Sequence, residues 1–227
     1  MMIDALVLVS AYLVGSIPFG FLLVRTARGL DVRDYGSHNT GAINVFRVGG
    51  PLLGLVTLLL DIGKAIIVVL VSHILIPNAW IVALACFLVM LGHAYSVWFC
   101  LLEQRFSEGK SVASGLGILI GLASLGQVPW QVAVIPVGIW LIGLIGPRLI
   151  AGRWSPISPA TMAATISIPL AGWIFGVAPV YLTLLAAMAA LILVRHKNNI
   201  LRLIAGTEPR LGQRTAASRT PEEVTVS

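Results

Sequence analysis

The feature that most constrains this chain is its series of long apolar blocks, which are separated by short segments that carry almost all of its charge. A helix that crosses a bilayer needs about 20 apolar residues. Only 11% of the residues are charged, whereas a soluble domain carries about 25%. The sequence therefore predicts an all-α, polytopic integral membrane protein with about seven transmembrane helices. We expect these spans at 3–24, 52–72, 79–101, 111–127, 129–147, 157–175 and 177–194.

The positions of the basic residues give an independent test of the span count. Fourteen of the fifteen lysines and arginines lie in 25–50, 102–110, 148–156 and the segment after 194. The alternate connections, near 73–78, 128 and 176, contain none. Seven spans place all fourteen on one side, which the positive-inside rule makes cytoplasmic. We therefore expect an outside N-terminus, one transmembrane domain over 1–212, and a disordered cytoplasmic tail over 213–227.

Charge and cysteine usage exclude several other classes of function. The net charge of +6 is explained by this topology and by attraction to anionic headgroups, so no nucleic-acid partner is expected. Cys86 and Cys100 are fourteen residues apart on one predicted helix, a separation that a disulfide cannot bridge. Because no zinc-like Cys/His spacing occurs, we expect neither a metal nor another cofactor.

The first polar motif combines GSIPFG at 15–20 with YGSHNTGAINVFR at 35–47. Glycines let backbone N–H groups converge on an anion, and hydroxyls and amides add donors. Arg47 offers a bidentate partner for a phosphate. An ordinary polar turn followed by a positive-inside arginine explains the same residues about equally well. The candidate phosphate-binding residues are Gly36, Ser37, Asn39, Thr40, Gly41, Asn44 and Arg47.

The second motif consists of Asp61 and Lys64, which lie inside the second predicted span. Ionisable groups at this depth are costly and are generally paired or functional. A spacing of three residues lets the two side chains pair on one helix face. We interpret them as a structural charge pair, and a loop that folds back into the bundle is the alternative partner.

The third motif is Gly92-His93 followed by SEGKSVAS at 107–114, where the fourth predicted span begins. A nucleotide P-loop needs a glycine five residues before Gly109, but that residue is Gln104. A lysine and free N–H groups at a helix N-terminus still suit a phosphate. His93 is more simply a packing histidine at a helix end. The candidates from this motif are Gly109, Lys110 and Ser111.

The fourth motif is RHKNNILRLIAGTE at 195–208. His196, Asn199 and Arg202 recur every three residues, so they form one polar stripe if the last span continues as a helix. A basic helix that lies on the headgroups is the alternative. That alternative explains the arginine but not the histidine and the asparagine.

In this order among the spans, GSIPFG, YGSxNTGAxNVFR, DxxK, GH…GKSVA and RHxxNIxRLxxGTE resemble the acyl-phosphate:glycerol-3-phosphate acyltransferase family, known as PlsY, over residues 12 to 212. The resemblance implies a seven-span enzyme of the bacterial inner membrane. Such enzymes move a fatty acyl group from acyl phosphate to the 1-hydroxyl of glycerol 3-phosphate, which gives lysophosphatidic acid and phosphate.

The resemblance also implies roles for individual residues. It implies phosphate contacts by Ser37, Asn39, Asn44 and Arg47, a glycine–lysine pair at Gly109 and Lys110, and site roles for His196, Asn199 and Glu208. The chain departs from the family pattern at His38, Ile43 and Glu108, and its spacing from His93 to Lys110 is longer than usual.

The mechanism that we expect depends on positioning two anions rather than on strong acid catalysis, because acyl phosphate is a mixed anhydride with a good leaving group. His196 is a candidate base or phosphate donor, and both roles stay open at this point. Acyl phosphate, glycerol 3-phosphate and membrane lipid are the expected partners, and the oligomeric state is not predicted. We expect the catalytic side chains to be Ser37, Lys110, His196 and Asn199, with Arg202 and Glu208 among the binding residues.

Three alternative functions differ in how well they fit the pattern. A small transporter or channel for phosphorylated anions would place binding groups near the midplane, where only Asp61 and Lys64 are candidates. An acyltransferase of the His-x4-Asp type is excluded, because none of the four histidines has an aspartate five residues later. The third alternative is a degenerate, non-catalytic member of the PlsY family.

Overall fold

The computed structural model describes residues 1–103, 109–152 and 156–208. The predicted tail at 213–227, together with Gln104, Ser107 and Glu108, lies outside the described residues. Within them the regular elements are helices, as the sequence predicted. They are α1 (Met2–Ser16), α2 (Phe19–Arg28), a 3-10 turn (Val32–Asp34), α3 (Ala42–Gly49), α4 (Pro51–Leu75), α5 (Ala79–Ala94), α6 (Val97–Glu103), α7 (Val112–Ser124), α8 (Gln131–Ala151), α9 (Ile157–Ile174), α10 (Pro179–Arg195) and α11 (Lys197–Ile204).

Four stretches of helix in the described residues are long and apolar enough to cross a membrane, namely 2–28, 51–75, 131–151 and 157–174. A fifth is possible if α10 and α11, which meet at a bend of 53°, are counted as one span. Helices α5 and α7 are apolar but shorter. Each of the seven predicted blocks contains one of these apolar helices, and the count of seven spans itself stays a prediction.

The first predicted span is interrupted at Ile17 and Pro18 and continues to Arg28. A residue before proline disfavours helical backbone, and Ile17 has a ψ of 116°. Helix α2 then ends at Gly29, which has a φ of 68°. The interruption turns the chain toward the polar loop that follows.

The third predicted span, 79–101, is wrong as a single helix, because α5 ends before Tyr95 and α6 begins after Ser96. The Tyr12 hydroxyl donates to the Tyr95 carbonyl at 2.8 Å, and the Ser96 hydroxyl donates to the Ser16 carbonyl at 2.6 Å. Helix α1 therefore holds both residues of the turn. It also follows that Cys86 and Cys100, which are both free thiols, lie on different helices.

Helix packing in the bundle relies on small residues where two backbones meet. Helix α1 packs on α5, α4 on α7, α8 on α9, and α10 on both α9 and α5. A Cβ on Gly15 would lie 2.2 Å from the Val89 carbonyl oxygen, and one on Gly92 would lie 2.3 Å from that of Tyr12. Glycines at such crossings let membrane helices approach closely. The largest fully buried side chains of the core include Met90, Leu122, Leu185 and Met188.

A second, smaller apolar cluster supports the polar loop after α2. Its members Val24, Val32, Val45 and Val48 come from α2, the 3-10 turn and α3. Because burial of these valines fixes both ends of residues 35–41, the loop between them starts and ends on a rigid base.

Candidate active site

Polar groups from four separate connections of the chain meet at one end of the bundle. The Arg195 guanidinium donates to the Gly109 carbonyl at 3.1 Å, and Ser158 at the start of α9 contacts Glu208. Arg47 and Arg202 lie close enough to Lys110 and Glu208 for their charges to act on one another. Three of the four predicted motifs therefore contribute to one site.

Asn44 organises the loop at 35–41 through its buried side-chain amide. The side chain is 1% exposed, and its nitrogen lies 2.9 Å from the Val32 carbonyl, 3.1 Å from that of Tyr35 and 2.8 Å from that of Asn39. Its oxygen accepts the Ser37 N–H at 2.8 Å. The Asn44 side chain is therefore bonded to the backbone of the loop that it shapes, and its phosphate contact stays a prediction.

Two residues of this loop have left-handed backbone. Gly36 has a φ of 65°, and a Cβ there would lie 2.2 Å from the Asn44 side-chain oxygen. His38 has a φ of 56°, and its Nδ1 lies 2.9 Å from the Arg33 carbonyl, to which it donates. This hydrogen bond explains how a histidine occupies a position whose backbone favours glycine.

Among the remaining polar residues of the loop, Ser37 keeps a donor available. The Asn39 amide nitrogen donates to Ser37 Oγ at 3.0 Å, and the Asn39 amide oxygen accepts the Gly41 N–H at 3.1 Å. Since Ser37 Oγ accepts a bond from Asn39, its own O–H can point elsewhere. Thr40 is buried, whereas Arg47 on α3 is half-buried. Ser37 and Arg47 are therefore the side chains of this motif best placed to contact an anion.

Lys110 lies in a short segment whose backbone is fixed on both sides. A Cβ on Gly109 would lie 2.1 Å from the His93 carbonyl oxygen. Ser111 has a φ of 58°, is 1% exposed, and donates its hydroxyl to the Met90 carbonyl at 2.8 Å. That hydroxyl therefore anchors the segment to α5, and the phosphate contact of Ser111 stays a prediction.

Burial lowers the pKa of the Lys110 ammonium to about 8, and the nearby positive charges act in the same direction. The Glu208 carboxylate opposes them. Since the value stays above 7, Lys110 is mainly charged at neutral pH. It is a partly dehydrated cation, which is the kind of group that binds phosphate strongly.

His196 lies at the bend between α10 and α11 and not within one continuous helix. The predicted stripe required the last span to continue as one helix, whereas the chain bends by 53° here. Only Asn199 and Arg202 lie within α11, and His196 precedes it. The ring is 3% exposed, and its Nδ1 lies 2.8 Å from the Ile192 carbonyl. A carbonyl only accepts, so Nδ1 carries the proton and Nε2 of the neutral ring is an acceptor. Burial lowers the pKa of His196 to about 4.

Asn199 and Arg202, which both lie on α11, hold the side chain of Glu208. The Asn199 amide nitrogen donates to Glu208 Oε1 at 2.7 Å and to Ser158 Oγ at 2.9 Å, and Arg202 Nε donates to Glu208 Oε2 at 2.7 Å. Burial alone would raise the pKa of Glu208, but hydrogen bonds from Ser158, Asn199 and Arg202 outweigh it and lower the pKa below its usual value. The carboxylate is therefore ionised, and Asn199 orients it.

Sequence reasoning missed Ser158 and Arg195 as site residues. Ser158 opens α9 in a segment with no motif of its own, so no sequence signal pointed to it. Arg195 stood inside the fourth motif but was read only as a topological charge. No group of three or more His, Cys, Asp or Glu side chains suited to a metal occurs within the described ranges.

Comparison with known proteins adds an independent finding. The family model described as glycerol-3-phosphate acyltransferase matches residues 5–206. The glycerol-3-phosphate acyltransferase of Mesorhizobium japonicum is 41% identical over 208 residues, which cover 91% of this chain and 95% of that protein. The enzyme of Thermosynechococcus vestitus is 36% identical over 212 residues, which cover 89% and 92% of the two chains.

Two crystal structures have the same fold as this chain. They are of PlsY (YgiH), an integral membrane glycerol 3-phosphate acyltransferase, in its glycerol 3-phosphate form and its lysophosphatidic acid form. The glycerol 3-phosphate form has a TM-score of 0.78 and 32% sequence identity, and the match covers 92% of this chain and 96% of that one. The lysophosphatidic acid form has a TM-score of 0.77 with 32% identity, and it covers 92% and 95%.

Proposed function

We propose that this chain, which belongs to the glycerol-3-phosphate acyltransferase family, is a membrane enzyme that transfers a fatty acyl group from acyl phosphate to the 1-hydroxyl of glycerol 3-phosphate. The products are lysophosphatidic acid and inorganic phosphate. The observation that carries this proposal is the convergence of Lys110, Arg47 and Arg202 with Glu208 and a neutral His196 at one end of the bundle.

The two phosphate groups are held by different kinds of donor. The Ser37 hydroxyl, the loop amides and Arg47 form one wall of the site, and Lys110 at the start of α7 lies close to Arg47. Cations and N–H groups that are fixed before the substrate arrives stabilise charge as it develops in the transition state. Bringing two anions together on such a surface supplies several kcal/mol of the barrier, and up to about 7–11 kcal/mol in the best-oriented cases.

His196 has the character of an acceptor rather than of a donor or strong base. In the proposed step the glycerol hydroxyl oxygen attacks the acyl carbonyl carbon, the bond from that carbon to the phosphate oxygen breaks, and the leaving phosphate takes the proton. His196 Nε2 accepts a hydrogen bond from the attacking hydroxyl and so aims it. With a pKa of about 4, the ring keeps this lone pair throughout the neutral range.

We propose seven spans with the site at the cytoplasmic face of the bacterial inner membrane. Seven spans place the segments around Ser37, Lys110, Ser158 and His196 on the same side. Contacts between these segments, such as Arg195 with Gly109 and Ser158 with Glu208, support that parity. Labelling of single cysteines introduced in the 213–227 tail tests it, since reagent added outside intact cells should not reach them.

The catalytic proposal is tested with purified protein, palmitoyl phosphate and glycerol 3-phosphate, by measuring phosphate and lysophosphatidic acid together. Acyl-CoA is run in parallel as the alternative donor, and Lys110→Met is the matched variant, with an activity that we expect to be about 100-fold lower. We expect equal amounts of both products from acyl phosphate only. Use of acyl-CoA would contradict the donor assignment, and no product from either donor would favour a non-catalytic family member.

A further inference from the structure

A cluster of three ionisable side chains lies next to the segments that form the proposed site and takes no part in the proposed reaction. Lys64 Nζ lies 2.8 Å from Asp61 Oδ1, as the spacing of the two residues predicted, and 3.0 Å from His93 Nδ1. Each of the three side chains is at most 8% exposed. The Lys64 ammonium also donates to the Ile17 carbonyl at 3.1 Å, so its contacts extend beyond its ion-pair partner.

One side of the cluster supports the phosphate loop. Ile17 is the residue at which the first span is interrupted, and Gly20 follows just after the interruption. A Cβ on Gly20 would lie 2.1 Å from the Thr40 carbonyl oxygen, so the backbone of the loop rests directly on α2. Lys64 therefore bonds the chain at the interruption, just before the point where α2 meets the loop.

The other side of the cluster supports the segment that carries Lys110. The ring of His93 lies 2.8 Å, at Cδ2, from where a Gly109 Cβ would be. Ser114 on α7 approaches the Asp61 carbonyl at 3.4 Å. Both contacts fix the start of α7 against α4 and α5, the two helices that carry the cluster.

A small cavity lies between the cluster and the phosphate loop. It is lined by residues that include Pro18, Phe19, Thr40, Asp61, His93 and Ser96. The charged cluster and the phosphate loop therefore face the same internal space. The contacts of the Lys64 ammonium with Ile17 and His93 are additional to the ion pair that neutralises its charge.

We propose that Asp61, Lys64 and His93 form a positioning device that fixes the distance between the phosphate loop and the Lys110 segment. This role deepens the acyltransferase assignment and rests on it. Loss of the cluster lets the two anion-binding walls move apart, and a displacement of about 1 Å costs on the order of 100-fold in rate. The three side chains are positioning residues, because none of them is argued to touch substrate.

The first test separates positioning from charge compensation. Replacing a buried ion pair by apolar residues of similar size is often neutral for stability. We therefore expect Asp61→Leu combined with Lys64→Met to keep its unfolding midpoint within about 5 °C of the wild type, while Lys64→Met alone is less stable. The double variant should raise KM for both substrates and lower kcat at least about tenfold. Full recovery of kcat and of both KM values in the double variant would overturn the proposal.

A second set of variants keeps the test decisive if the double variant does not fold. His93→Asn retains an acceptor near the place of Nδ1, whereas His93→Leu does not. We expect the asparagine variant to retain most activity and the leucine variant to lose about tenfold or more. Equal activities would contradict the role of the Lys64–His93 contact. Ser72→Ala is the control, because among the described residues this buried hydroxyl of α4 bonds only to carbonyls of its own helix.

Hydrogen exchange gives a readout that does not depend on catalysis. We expect Lys64→Met to speed exchange in peptides that cover 36–41 and 109–111, and to leave the middle of α9 unchanged. Unchanged exchange in both loops would overturn the positioning role. A wild-type protein without acyltransferase activity would instead refute the proposed function, and the exchange result would still stand.

Discussion

The state of Lys110 leads to a quantitative pH prediction. Burial lowers its pKa to about 8, so about nine-tenths of the free enzyme carries the charge at pH 7 and about one-tenth at pH 9. If the ammonium is needed to bind phosphate, kcat/KM falls about tenfold between these values, because this parameter reports the pKa of the free enzyme. Lys110→Arg should abolish this decline, since an arginine stays charged at pH 9.

The assay measures lysophosphatidic acid formed from palmitoyl phosphate at limiting glycerol 3-phosphate, from pH 6.5 to 9.5. A phosphate monoester loses its second proton near pH 6, so the acceptor substrate is already a dianion where the decline is expected. Blanks without enzyme correct for hydrolysis of the anhydride. Lys110→Met should show about 100-fold lower activity with no decline, since removal of one such donor typically costs 10²–10³ in rate.

Two results would refute this reasoning. A decline that persists unchanged in Lys110→Arg would belong to another group, so the burial of the lysine would have no bearing on catalysis. A wild-type profile that stays flat to pH 9.5 would show that Lys110 is charged throughout. In that case the segment at 109–111 would have to be more hydrated than its packing on α5 indicates.

Three further predictions concern residues that shape the site. Gly36→Ala should lower kcat/KM about 100-fold, because the new Cβ collides with the Asn44 amide that anchors the loop. His38→Gly should stay active, because relief of about 1–2 kcal/mol of backbone strain offsets a lost hydrogen bond worth about 1 kcal/mol. Steady-state rates and thermal unfolding check both variants. His196→Gln should retain activity within about tenfold, because the glutamine amide reaches the place of Nε2. The shorter His196→Asn should lose about 100-fold in activity. Equal rates of the two variants would argue against an acceptor at that place. Ser158→Ala should lower kcat about tenfold, because it removes the hydrogen bond that holds the Glu208 carboxylate after α11. Ser167→Ala on the same helix should leave kcat unchanged. The steady-state assay measures both variants.

Much of the fold could be predicted because backbone N–H and C=O groups in lipid must be hydrogen-bonded within the protein. This requirement turns long apolar stretches of sequence into helices. The apolar blocks located the helices, and the spacing of Asp61 and Lys64 indicated their ion pair. The interruptions were harder to place. The break before Pro18 had a local signal, but the one at Tyr95 depends on hydrogen bonds with α1, which lies about eighty residues earlier in the chain.

The site was predicted by residue type more reliably than by residue role. Ser37, Arg47 and Lys110 remain candidates for substrate contact. Asn44 and Ser111 were expected to contact phosphate, but their side chains are bonded to the backbone. A polar residue in a glycine-rich loop either binds a ligand or stabilises the loop, and the same residue types serve both roles. Tertiary partners decide between the two.

The electrostatics of the site match the chemistry that a mixed anhydride requires. Arg47, Lys110 and Arg202 lie near one carboxylate, that of Glu208, so the free site has an excess of positive charge. The same excess opposes protonation of His196, whose pKa burial has already lowered. An anion that enters stabilises the charged form of Lys110, and by linkage the lysine then holds its proton more tightly while the anion is bound. The site therefore becomes a better anion holder and a poorer proton donor as substrate binds. This suits a reaction whose leaving phosphate needs no proton from the protein.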